Sequence, residues 1–283
     1  MRVPTVLTIA RLTIHEIQRR RILWVALFMG LAFLVVFGLG FHYIFVEVEA
    51  EPMGPGRFDV PTVIASFLTL AGLYVINFLV IVIAALLSAG IISGELESHT
   101  VETIVTKPIR RCEVVLGKWL GLAVIIAVYL LALTGGVLLI AYLRVGFSMP
   151  GIAQGLGLML LAALTMLSLS LLGGTRLSTL ANGSLAFMLY AVAYVGGWVE
   201  QIGALLRNET AVDLGILSSL LMPADVLWKR ASLLFNPQLG SGPDFPAPFV
   251  VLSQPNEYAI YYALFYTVFL LALALWSFSR RDL

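Results

Sequence analysis

Charge is scarce in this chain. Of its 283 residues only 12% are Asp, Glu, Lys or Arg, against about a quarter in soluble domains. Hydrophobic residues make up 60% and the mean hydropathy is +0.99, a balance that excludes a water-soluble fold. A net charge of +1 offers no basic surface for nucleic acid. The one cysteine, Cys112, excludes a disulfide within the chain and any multi-cysteine zinc site. His15, His42 and His99 lie in different segments and no H-E-x-x-H occurs, so the sequence assembles no converging ligand set for a catalytic metal. A phosphate-binding loop is missing as well: the Gly117-Lys118 pair is followed by Trp119 and no strand precedes it. There is no G-x-S-x-G elbow. The 8 methionines are dispersed, with Met29, Met159, Met166 and Met188 inside apolar runs, and read as packing rather than as soft copper ligands. These absences point away from an enzyme and from any metal or cofactor held on this chain.

Long apolar runs are what the chain has instead. A hydrocarbon core about 30 Å thick takes about 20 apolar residues in a helix, and six runs meet that requirement: 22–45, 67–92, 119–143, 152–172, 180–199 and 257–278. The first is longer than a signal h-region and is read as a retained span. With the N-terminus placed in the cytoplasm, twelve of the 17 basic residues fall in cytoplasmic segments: Arg2, Arg11, Arg19, Arg20, Arg21, Lys107, Arg110, Arg111, Lys118, Arg176, Arg280 and Arg281. Arg57, Arg144, Arg207, Lys229 and Arg230 fall outside. That asymmetry follows the positive-inside pattern and puts both termini on the cytoplasmic side of a plasma (inner) membrane.

The expected fold is therefore all-α and integral to the bilayer, with six transmembrane helices. Residues 1–21 are expected to form an N-terminal interfacial helix, because Val3, Val6, Leu7, Ala10, Ile14 and Ile17 make an apolar stripe. Residues 22–283 then form the transmembrane domain. Within it, 93–118 make a cytoplasmic helical hairpin between spans two and three, and 200–256 make an external loop with short helices near 211–221 and 223–235. In the second of these, Pro223 and Asp225 suit a first helical turn. Leu227, Ala231 and Leu234 share one face there, with Asp225, Lys229 and Ser232 expected largely elsewhere. Such pieces are too short to span and are expected at the outer interface or dipping in partway. The sequon Asn208-Glu209-Thr210 reads as a chance occurrence.

Inside the runs ionisable side chains are almost absent, apart from His42. Ion-coupled carriers keep such groups for their relays, and the internal repeats that mark many of them are not visible either. Neutral polar residues remain. Asn77, Thr134, Ser168, Tyr190 and Tyr194 are candidates to line a substrate path, although hydrogen bonds between helices explain such residues equally well. The pairs Gly135-Gly136, Gly173-Gly174 and Gly196-Gly197 suit close helix approach or kinks. The spans thus supply a passage or scaffold without a visible energy source.

Against this background one segment stands out, SGELESHTVETIVTKPIRRCEVVLGK, residues 93–118. It carries Glu95, Glu97, Glu102, Lys107, Arg110, Arg111, Glu113 and Lys118. The positive-inside pattern accounts for its basic residues but not for four glutamates, which a docking surface for a partner does explain. The second run continues into SGELES as a projecting helix, Lys107-Pro108 ends it, and residues 110–118 restart it into the third run.

Glu95-x-Glu97-x-x-Thr100, then Thr106-Lys107-Pro108-Ile109-Arg110-Arg111-x-Glu113 and Gly117-Lys118, resembles the signature of ABC-2 type transporter permeases. Pro223-Ala224-Asp225 and the closing Phe278-Ser279-Arg280-Arg281-Asp282-Leu283 agree with that family, as does the six-span plan. Length and plan are most similar to the subgroup that includes the permease for copper-site maturation of nitrous oxide reductase. Without clustered Met, His or Cys, that subgroup's metal link is not carried over. One departure is Ser98-His99, where members often place glycine before the threonine. The resemblance implies a permease subunit with no catalytic site, with ATP and Mg on a separate ATP-binding cassette ATPase. It assigns Glu95, Glu97, Thr100, Glu102, Pro108, Arg110 and Arg111 to the contact with that ATPase. It further implies pairing with a second permease subunit, as a homodimer, and export or flipping of an unidentified substrate. The alternatives are a membrane subunit that passes ATP-driven motion to an extracellular partner and, further off, an autonomous channel or secondary carrier.

Overall fold

The computed structural model describes residues 3–50, 60–97, 110–235, 253 and 255–280, and all regular elements among them are α-helices. In chain order these are α1 (Val3–Gln18), α2 (Arg21–Ala50), α3 (Val60–Glu97), α4 (Arg111–Val145), α5 (Ile152–Gly174), α6 (Thr179–Leu205), α7 (Glu209–Leu221), α8 (Ala224–Phe235) and α9 (Tyr258–Ser279). Six of them, α2 to α6 and α9, are long and apolar enough to cross a membrane, as the apolar runs require. The helices outlast the runs. At 1.5 Å per residue the 38 residues of α3 and the 35 of α4 extend about 57 and about 52 Å, well beyond a hydrocarbon core of about 30 Å. Hydropathy marks only what lipid must cover, whereas the backbone hydrogen-bond ladder continues until a breaker stops it. For α4 that stop is Gly146, in the left-handed conformation (φ 67°), whose N–H bonds the Tyr142 carbonyl.

The bundle is centred on α3 and α5, whose most apolar stretches are each 61% buried, against 17% for α2. Lipid supplies no hydrophobic drive between helices, so small residues and hydrogen bonds set the packing. Phe33, Phe37, Phe41 and Phe45 stack along one face of α2 at ring distances of 5.9, 5.7 and 4.9 Å. Phe37 lies over Gly72 of α3, and Phe41 and Phe45 are buried with Ala65 and Ala141. The opposite face of α2, including Trp24, Phe28, Leu31, Val35 and Val36, is left exposed. Hydroxyl pairs tie the inner helices: Thr165 to Thr267 at 2.6 Å (α5–α9), Thr175 beside α5 to Ser277 of α9 at 2.8 Å, and Ser93 to Thr179 at 2.8 Å (α3–α6). Asn182 Nδ2 donates to the Ser170 carbonyl at 2.8 Å, joining α6 to α5 beside Gly173, where a Cβ would overlap the Asn182 side chain. Gly136 is similarly covered, by Leu34, whereas Gly135 has open space around it.

At one end of the bundle α1 docks on α4. Ile9, Ala10 and Thr13 lie over Gly117 and Gly121, and Ala10 and Ile17 are buried. The expected apolar stripe is thus divided: part of it meets α4, while Leu7 stays exposed.

At the other end α7 and α8 form a hairpin bent by 105°. Seated between α6 and α9, α7 packs along α6 where Gly203 meets Ala211 and Gly196 meets Ser218. The Leu220 and Leu221 carbonyls accept hydrogen bonds from Tyr262 and Tyr266 of α9, at 2.6 and 2.8 Å. Tyr266 is eight residues along α9, so the tip of the hairpin reaches about 12 Å below the start of that helix. From there α8 climbs back along α5, with Phe235 over Gly155 and the Leu234 carbonyl over Gly151 (φ 64°). The two short helices thus pack against the bundle between α5, α6 and α9.

Candidate functional site

Two regions concentrate polar chemistry, one at each end of the bundle. At the α1 end the predicted docking segment divides into described and undescribed parts. The backbone of α3 carries on as helix through Glu95 and Glu97, six residues beyond the Ile91 end of its candidate span, about 9 Å further. Helix α4 begins at Arg111 after Arg110, which is extended (φ −74°, ψ 134°) and exposed. Thr100, Glu102 and Pro108 lie outside the described residues, and of Glu95 and Glu97 only the backbone is described. Two charges in the opening turns of α4 are buried, Glu113 and Lys118. Lys118 Nζ donates to the Ile91 carbonyl of α3 at 3.2 Å. An ammonium on a main-chain carbonyl is a charge-assisted bond, roughly twice as strong as a neutral one. It fastens α3 to α4 at the α1 end of the bundle.

The second region was not legible as a site in the sequence. Lys229 of α8 is buried, donates to Glu200 Oε2 of α6 at 2.7 Å and lies 2.8 Å from Asp225 Oδ2, one turn back on its own helix. Aromatic side chains wall this cluster. Tyr74 of α3 packs on Trp228 at 5.3 Å and donates to the Tyr194 hydroxyl at 2.6 Å, and Tyr190 and Tyr194 are ring neighbours at 6.1 Å. The Asp225 carboxylate occupies the space a side chain at Gly197 would need, and Gly215 likewise leaves room for Glu200. These contacts correct two expectations. Lys229 and Ser232, expected away from the face of Leu227 and Ala231, are buried together with them. Helix α6 runs to Leu205 rather than ending near 199, which carries Glu200 into the packed bundle. The available signals were the i,i+4 spacing of Asp225 and Lys229 and a lone glutamate directly after Gly196-Gly197-Trp198-Val199.

Two carboxylates against one ammonium leave one negative charge in excess. An uncompensated buried charge costs several kcal/mol, whereas the N-terminus of α8 returns about 0.3–1 kcal/mol to a carboxylate in its first turn, about 2 at most. Burial wins: it pushes the Asp225 carboxyl up from its ordinary range, opposed by the Lys229 ammonium and reinforced by Glu200. For Lys229 burial works against the charge, but Asp225 and Glu200 outweigh it and raise the ammonium's pKa.

Of the residues considered for a substrate path, Tyr190 and Tyr194 come together in this aromatic wall. Ser168 is engaged otherwise, accepting from Trp119 Nε1 at 3.0 Å and donating to the Leu164 carbonyl. Asn77 and Thr134 are buried, each with a side-chain oxygen that makes no hydrogen bond. Asn208, read as part of a chance sequon, caps α7 by accepting from the Ala211 N–H at 3.2 Å, a common role for asparagine before a helix.

No curated protein matches the chain. A family model described as "ABC-2 family transporter protein" matches residues 7–283, nearly the whole sequence and all six membrane helices. It describes the family as a whole and does not single out the copper-site maturation subgroup. The chain belongs to the ABC-2 family of transporter proteins: it is a multi-pass membrane permease subunit of an ATP-binding cassette transporter, a kind of subunit that associates with an ATP-binding cassette ATPase.

Proposed function

We propose that residues 93–118 dock the ATPase on the cytoplasmic side, and that closure of two nucleotide-loaded ATPases moves α3 and α4 in each of two identical permease subunits. That movement exports or flips a substrate along the seam between the subunits. The observation that carries this reading is the unbroken run of α3 through Glu97 together with its Lys118–Ile91 tie to α4. A helix that leaves the membrane without a hinge transmits displacement at its tip to its whole length, and the tie makes α4 follow. With α1 packed on the same turns of α4, the entire α1 end moves as one block. Glu95, Glu97, Thr100, Glu102, Pro108, Arg110 and Arg111 form the contact, and ATP and Mg sit on the ATPase. The excess of basic residues at the α1 end supports placing that end, and both termini, in the cytoplasm of a plasma (inner) membrane. Asn77 and Thr134, whose buried oxygens are unpartnered, are the better candidates for the substrate path. Ser168, already hydrogen-bonded to Trp119, reads as packing.

Tagged protein purified from native membranes in mild detergent tests the docking. Wild type is expected to bring down a stoichiometric ATP-binding chain with ATPase activity, and a monodisperse Glu95→Lys/Glu97→Lys variant is expected to lose both. Equal recovery of the ATPase by the two proteins would place the docking surface elsewhere.

A further inference from the structure

The Glu200–Lys229–Asp225 cluster lies at the end of the bundle away from the α1 end, and packing alone does not call for three charges there, since apolar residues of similar volume commonly fill such a site as well or better. We propose that this cluster is a proton-binding site: one bound proton keeps the α7–α8 hairpin seated on α6, and loss of that proton to the water on that side of the membrane unseats it.

Charge count, burial and position support the assignment. Lys229 satisfies Glu200 through a hydrogen bond of 2.7 Å. Asp225 Oδ2 is also close to Lys229, at 2.8 Å, yet it is buried and not aligned to accept a hydrogen bond. Asp225 thus shares the one ammonium with Glu200 and its Oδ2 lacks the hydrogen bond that Glu200 has, and a proton on Asp225 makes the cluster neutral. Burial acts on Asp225 in the same direction.

Among the described residues, the helices packed on α8 supply no competing cation. From α6 the ionisable groups facing Asp225 are Glu200, Tyr190 and Tyr194, and from α3 Tyr74, whose hydroxyl is engaged with Tyr194. Helix α5 contains no Asp, Glu, His, Lys or Arg. On α7, Glu209 and Asp213 are exposed. At the start of α9, Glu257 pairs with Arg230 at 2.9 Å, while Tyr262 and Tyr266 spend their hydroxyls on carbonyls of α7.

Position makes the proton matter. Glu200 lies before the hairpin in sequence and Asp225 and Lys229 lie after its bend, so the cluster closes the whole 200–225 loop onto α6. An ionised Asp225 would sit against Gly197 with excess charge and no room to turn aside, and separating α8 from α6 lets water reach it. The step is a simple exchange: Asp225–COOH releases a proton to water and becomes Asp225–COO⁻.

The proposal stands whether or not an ATPase docks at the other end. It is tested by hydrogen–deuterium exchange of the full chain in lipid nanodiscs from about pH 5 to about pH 9, corrected for the intrinsic pH dependence of exchange. Opening of α7–α8 peptides in wild type is expected to rise by up to about tenfold per pH unit from the ordinary carboxyl range, where the opened Asp225 ionises, up to the raised pKa of the seated Asp225, and to level off above it, the behaviour of a one-proton linkage. Peptides of α3 and α5 should not respond. Asp225→Asn mimics the protonated carboxyl and should abolish the rise. Glu200→Gln removes the excess charge and should do the same, which keeps the test decisive if the asparagine variant does not fold. A wild-type hairpin indifferent to pH, or an equal pH response in both variants, would overturn the proposal. So would opening that tracks replacement of sodium by N-methylglucamine at fixed ionic strength instead of pH, because a metal cation would then fill the site.

Discussion

Gly197 decides how closely α8 can approach α6, because the Asp225 carboxylate lies where its side chain would be. Overpacking a tight contact typically costs about 1–3 kcal/mol, so Gly197→Ala should lower the thermal unfolding midpoint of the detergent-purified protein. Gly135→Ala is the matched control. It meets nothing within 4 Å and gains helix propensity of about 1 kcal/mol, so it should leave the midpoint unchanged or raised. Equal losses in the two variants would contradict the packing described for Gly197. At this scale the sequence was partly legible. Gly-Gly pairs marked close contacts at Gly136, Gly173, Gly196 and Gly197, but nothing in a one-dimensional pattern separated those from Gly135. The buried charges were missed for a related reason. Asp225 and Lys229 at i,i+4 look like a solvated ion pair on an amphipathic helix, and only the apposition of Glu200 from another helix shows that the pair points inward.

Among the elements, α1 shows what an apolar stripe can and cannot say. The stripe predicted an amphipathic helix at the membrane surface. It could not predict that Ala10 and Thr13 would rest on Gly121 of α4, since the complementary surface is more than a hundred residues away in sequence. Enlarging that glycine should release α1 without unfolding the spans. Gly121→Leu is expected to strip hydrogen-exchange protection from Val3–Gln18 while the α3–α5 core keeps its own, and retained protection across α1 would refute the docking. Helix ends were the other weak point of sequence reading. The run ending at 199 was cut where hydropathy falls, yet α6 proceeds to Leu205, whereas the projection of α3 to Glu97 was expected from SGELES. Those polar extensions, which lipid does not select, hold one half of the docking segment and the Glu200 of the buried cluster.

For the molecule as a whole, the sequence already contained the number of membrane helices, their order and the family signature, because lipid imposes a length and a composition that hydropathy reads directly. What joins the helices was hidden, since it consists of hydroxyl pairs, glycine contacts and single ammonium–carbonyl bonds between distant segments. On the proposed reading, force enters this permease at residues 93–118, at the α1 end, opposite the α7–α8 hairpin. A photo-crosslinking amino acid at Glu102, compared in intact cells with one at Arg207 near the far end of α6, tests that most directly. Position 102 is expected to capture a chain that binds ATP and carries a phosphate-binding loop, and position 207 is not. Capture of the ATPase from position 207, or its absence from position 102 when the complex purifies intact, would contradict it.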